Sequence, residues 1–141
     1  MAIRHQFTII CDDIRQENTG KLILIGVYTP SIAVPHVPTA MQSLAFFQSW
    51  ESDRPGRFNI RMRIEQMETG RPIVEGMGMM QIMRPGQGIS VMKFGNFQIP
   101  AFGTYNFIVN IEGEPDPIIS SFDVVLPPQQ LTQQAQLPFR G

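Results

Sequence analysis

The chain has 141 residues, 43% of them hydrophobic and 16% charged, with a formal net charge of −1. That length favours one domain with a real core, and the composition excludes a disordered, highly charged chain. A charge so near zero gives no electrostatic reason to expect nucleic acid or an anionic membrane surface as a partner.

Twelve Gly and twelve Pro call for frequent turns, which suits many short strands better than helices. Cys11 is the only cysteine, so neither an intrachain disulfide nor a multi-cysteine zinc site is expected. No stretch approaches the roughly 20 apolar residues of a membrane span. The first apolar run is too short for a signal peptide and meets Asp12 and Asp13 at once. The expected location is the cytoplasm, with no membrane partner.

In chain order, His5 to Asp12 is a first strand with Phe7, Ile9 and Cys11 on one face. Asp13 to Gly20 turns the chain into Lys21–Tyr28, a strand apolar on both faces, in which Gly26 marks a bulge or a close backbone approach. Pro30, Pro35 and Pro38 then exclude a regular element over most of Thr29–Met41, which reads as a crossover loop. Ser43–Glu51 is the third strand and contains Trp50. After the Asp53–Gly56 turn, Arg57–Met67 alternates cleanly: Phe58, Ile60, Met62 and Ile64 face the core, while Arg57, Asn59, Arg61, Arg63 and Glu65 face water. Pro72–Met83 carries Gly76 and Gly78 with methionines on both faces, as expected of a sheet edge. Ile89–Ile99 shifts its apolar parity at Gly95–Asn96, which predicts a bulge. Gly103–Gly113 and Ile118–Leu126 complete the set, and Pro127-Pro128 stops it. These segments predict an antiparallel β-sandwich of about eight strands over residues 1–128, followed by a low-complexity tail at 129–141.

Two resemblances add to this reading. Gly103-x-Tyr105-x-Phe107 at the start of the penultimate strand resembles the tyrosine corner of immunoglobulin-like sandwiches, with Phe107 where that family has a cysteine and Trp50 on the third strand, where it has its core tryptophan. Cys11-Asp-Asp-Ile-Arg15, Glu17, Gly20-Lys21, Ile25-Gly-Val-Tyr28, the Arg-rich alternating strand and the Phe-Gly-x-Tyr-x-Phe strand ending at Glu112-Gly113 resemble a small bacterial family of uncharacterised domains. That resemblance implies a bacterial source and the sandwich fold. It brings no activity and no functional residues.

If each strand reverses the one before it, Asp12, Asp13, Glu17, Glu51, Asp53, Glu112, Glu114 and Asp116 share one end of the molecule. Such a pole is a candidate cation or small-ligand site, although Arg15, Lys21, Arg54, Arg57 and Arg84 at the same end make a salt-bridged rim the simpler reading. His5 and His36 lack metal-ligand spacing, and the hydrolase and phosphate-loop motifs are absent. No catalytic residue, metal or cofactor is therefore assigned. The Met77–Met83 stretch is read as core filling or a sticky partner surface, and the Arg57, Arg61, Arg63 face as a solvated, cross-strand-paired surface. The expected function is a non-enzymatic interaction or scaffold module with a protein partner or a second copy. The alternative is ligand or cation binding at the acidic pole.

Overall fold

The computed structural model describes residues 3–29, 31–53, 55–82 and 86–128. The expected tail lies outside these residues, as do Arg54, Met83 and Arg84. The described chain is all-β, with nine strands: β1 (Ile3–Gln16), β2 (Leu22–Val27), β3 (Ile32–Ala33), β4 (Thr39–Ser52), β5 (Gly56–Gln66), β6 (Pro72–Ile82), β7 (Gly86–Ile99), β8 (Gly103–Ile111) and β9 (Ile118–Val125). The strand absent from the sequence reading is β3, two residues between prolines, paired in parallel with β9 through Ile32–Val124 and Ala33–Val125.

The strands form one hydrogen-bonded sheet in the order β2-β1-β4-β7-β6-β5-β8-β9-β3. The expected pair of separate sheets is thus replaced by a single curled one. Its two halves, β2-β1-β4-β7 and β6-β5-β8-β9-β3, are joined among the described residues by one ladder pair, Gln81–Ile89. The halves face each other across the core. Phe46 of β4 stacks on Phe107 of β8 with ring centroids 4.1 Å apart and lies 5.8 Å from Phe122 of β9. Offset or parallel aromatic pairs of this kind add about 0.5–1.5 kcal/mol to the gain from burial.

Alternation places the core residues on most strands. Ile60, Met62 and Ile64 of β5 are buried while Arg61 is exposed, as the period of two requires. In β7 the parity shift is real, but the β4–β7 register runs through it unbroken. Asn96, with φ of 50°, turns the chain so that both Phe94 and Phe97 reach the core. The first strand departs from the reading. A register shift between His5 and Phe7 sends Ile10 to the main core. Phe7, opposite Ser49 and ring to ring with Phe47, is 46% exposed on the outer face.

Tyr105 is buried at the start of β8. Its hydroxyl donates to the Ala101 carbonyl at 2.6 Å and accepts from the Ala101 N–H at 3.3 Å, pinning the turn that precedes the strand. Trp50 is fully buried on β4, which pairs with β1 and β7 and so lies in the half opposite β8. Its indole N–H donates to Ser90 Oγ at 2.8 Å.

Phe46→Ala removes the ring that spans both halves and is expected to cost about 3–5 kcal/mol, measured by urea denaturation. Tyr105→Phe strips the corner of its hydroxyl and is expected to cost about 1–2 kcal/mol in the same assay.

Candidate functional site

The residues around the first hairpin have local partners. Tyr28 donates its hydroxyl to Asp12 Oδ1, and the Asp12 carboxylate lies over Gly26, where any Cβ would collide with it. Gly26 has φ of 69°, so the position excludes a side chain on two counts. Burial, followed by the hydrogen bond to Asp12, pushes the Tyr28 phenol well above its ordinary range. Asp13 Oδ1 accepts from Lys93 Nζ at 3.0 Å and from the Ile14 N–H at 2.8 Å, and its Oδ2 accepts from Arg15 Nε at 3.2 Å. The bonds from Lys93 and Arg15, in that order, hold the Asp13 carboxyl below its ordinary value. Lys93 also donates to the Ile14 carbonyl at 3.0 Å, reaching from β7 past the small side chain of Ala45 on β4. The hairpin end is thereby pinned over a second cluster of buried Cys11, Ile14 and Ala45. Burial raises the Cys11 thiol, which disfavours its thiolate form.

The expected acidic pole is divided. β4 runs antiparallel to β1, with Cys11 opposite Ala45 and Arg4 opposite Glu51. Asp12 and Asp13 therefore lie beside the first half of β4, opposite Leu44 and Ser43, whereas Glu51 and Asp53 lie at or beyond its end, with Glu51 seven or eight residues, roughly 25 Å, away. The cause is the crossover from β2 to β4, which runs back along the sheet and makes those two strands parallel. Glu112, Glu114 and Asp116 follow β8 at the end where β5 begins. Several of these acids have their own contacts: Glu51 pairs with Arg4, and Glu112 Oε1 accepts from Asn59 Nδ2 at 3.2 Å. Among the described residues no group of three or more His, Cys, Asp or Glu is placed to hold a metal.

A polar network crosses the core instead. Thr8 Oγ1 is bonded to His5 Nε2 at 2.8 Å and to Ser120 Oγ of the facing half at 2.8 Å, and accepts from Gln48 Nε2 at 3.0 Å. One hydroxyl proton and two lone pairs are all used. His5 packs edge-on to Trp50 at 5.2 Å, and burial lowers its pKa. The Thr8–Ser120 bond ties the halves together.

The sheet is most sparsely paired at the seam between β6 and β7. β6 gives β5 a ladder from Ile82 to Pro72, but among the described residues only Gln81 is paired with β7. Residues 73–79 therefore have no ladder partner among the described residues along that edge of β6. Met77 and Met79 stand 75% and 56% exposed on the outer face there, and Ile89 and Val91 are exposed on the β7 side. Inside the seam, the Met92 side chain lies against Gly76 and Gly78, 3.4 and 3.8 Å from where their Cβ atoms would be. The glycines make room for this thioether, and at Gly78 also for that of Met62, whose Cε is 3.4 Å from the Cβ position.

Arg61 is next to this edge, directly opposite Met77 on one side and Asn110 on the other. It forms no ion pair with a described residue, whereas its neighbour Arg63 takes Glu65 at 3.1 Å. The cross-strand pairing expected of this face is thus found for neither arginine among the described residues, since the partner of Arg63 lies two residues along the same strand. Two shallow depressions of about 500 and 460 Å³ share Arg61, Met77 and Asn110 in their walls. The methionine edge was legible in the sequence. That Arg61 has no acidic partner among the described residues was not, because its neighbours Met77 and Asn110 follow from the register of three strands.

These features define a small all-β domain, one curled sheet with an open edge at its fold line. The chain belongs to a family of unknown function (DUF6941), matched over residues 6–120. The match runs from within β1 to the start of β9. No curated protein matches the chain. Among solved structures it is similar to a β-glucosidase of Erythrobacter marinus, at TM-score 0.45 and 9% identity, with 88% of this chain covered but only 15% of the glucosidase. It is similar too to the C-terminal domain of Wzt, at TM-score 0.48 and 10% identity, covering 86% of this chain and 72% of that one. No helix among the described residues is long and apolar enough to cross a membrane.

The lowered His5 pKa sets an expectation for pH. The unfolded chain takes up a proton near pH 6.5 that the folded chain resists, so stability is full above that pH and falls as the pH drops below it. The Asp13 contribution, present above its ordinary 3.8, is lost at still lower pH. The urea midpoint should be flat from pH 8 to 7 and decline from about pH 6.5, and His5→Gln should remove the first part of that decline.

Proposed function

We propose that the chain is a non-enzymatic interaction module that engages a protein partner, a second copy of itself included, through the free edge of β6. The observation that supports this reading most directly is the stretch 73–79, which has no ladder partner on its second edge among the described residues and carries exposed Met77 and Met79. Edge strands in native proteins are blunted by Lys, Pro, bulges or a covering element. This edge has Pro72 at its start and one charge, Glu75, on its outer face. An edge left open with adaptable thioethers beside it fits strand addition by a partner. The alternative of a cation site at the acidic pole lacks comparable support, because its carboxylates are spread over both ends of the sheet.

An immunoglobulin-like ancestry for the sheet is part of the same proposal. It is supported by the Tyr105 corner on β8 and by the order β1-β4-β7 facing β6-β5-β8-β9.

The test is a pair of lysines. Met77→Lys and Met79→Lys together change only exposed positions, so the urea midpoint should move by no more than about 0.5 kcal/mol in free energy. Concentration-dependent self-association, or binding of a purified partner, measured by sedimentation velocity should fall at least tenfold. Unchanged association by the doubly substituted protein would remove the β6 edge from the mechanism.

A further inference from the structure

Resting on that reading, we infer that the partner is an extended peptide segment with an acidic side chain between apolar ones, added as a new strand along residues 73–79 of β6. Backbone pairing supplies the general attraction, since β6 has a complete ladder with β5 on one side and a single pair with β7 on the other. Met92 lies against Gly76 and Gly78 beside that second side.

The side-chain pattern comes from the register. A strand laid on β6 sets its outward side chains beside Glu75, Met77 and Met79 at a strand spacing of about 4.8 Å. Beside Met79 the surface is apolar and continues into exposed Val91 on β7, which calls for an apolar residue. Beside Met77 lies Arg61, one strand further in. Two strand spacings, about 9.6 Å, separate its backbone from that of the added strand, a gap that an Arg and a Glu side chain close by meeting over Met77. Arg61 has no acidic partner among the described residues, while Arg63 is taken by Glu65 and Asn59 by Glu112. Glu75 repels an acid at the next outward position, which confines the carboxylate to the place opposite Met77. The charge-assisted contact with a guanidinium gives specificity that the backbone ladder alone lacks.

The probe is a short fluorescein-labelled peptide of alternating Val and Thr with one central Glu on the Val face, read by fluorescence anisotropy against the full chain. The Glu peptide should bind about five- to tenfold more tightly than its Gln counterpart. Arg61→Gln should erase that difference, and N-methylation of alternate peptide amides along one edge should abolish binding. Equal affinity for the Glu and Gln peptides overturns the inference, as does binding that N-methylation leaves intact. A failure of every peptide to bind also overturns it. If the chain instead forms a dimer that Met77→Lys with Met79→Lys dissolves, the occupant is a second copy: the interaction reading stands and the acidic-peptide inference falls. With neither peptide binding nor an edge-dependent dimer, both fail.

Discussion

The two halves of the sheet share one described ladder pair, so side-chain packing across the core must hold them face to face. Phe46 is the centre of that packing. It projects from the middle of β4, stacks on Phe107, and also touches Phe94 and Phe122, which places one ring against three strands of two halves. Apolar burial is strong but non-directional. The Thr8–Ser120 bond and its partners His5 and Gln48 supply the direction, because a buried hydroxyl that loses its partners costs about 1–3 kcal/mol. Together the ring stack sets the spacing of the halves and the polar network sets their alignment.

That arrangement explains what the sequence discloses. The β5 pattern of Ile60, Met62 and Ile64 against Asn59, Arg61 and Arg63 is a local signal, and the buried and exposed faces follow it. Tyr105, with a turn four residues before it, is equally local. β3 is not, because two residues between prolines become a strand only when β9 offers an edge. Nor is the fate of Phe7, which alternates correctly with Ile9 and Cys11 but faces outward after the shift at His5. Whether an apolar face meets the main core or the outside is decided by what packs on it. The acidic pole fails for a related reason: counting reversals along the chain ignores a crossover that returns to its starting end.

The seam follows from the same geometry. A sheet that curls until its halves face each other must bend sharply somewhere, and here the bend falls between β6 and β7. Pairing there is given up except at Gln81–Ile89, and Met92 fills the space over Gly76 and Gly78. The core is closed from inside while the backbone edge outside stays open. Thioethers and glycines seal the interior, while Met77, Met79 and Arg61 stand exposed on the outer face.

The parallel pairing of β3 with β9 has a consequence for how the protein is made. Ile32 leaves the ribosome early, but its partner Val124 is in the last strand of the sheet. At roughly 5–20 residues per second, β3 waits on the order of 5–20 s for its partner to be synthesised. During that interval the proline-rich crossover cannot be fastened to the far half, although β1 can already pair with β2 and β4. Two residues bounded by prolines are poor templates for pairing with another nascent chain. The brevity of β3 therefore protects the chain during translation, before the sheet is complete.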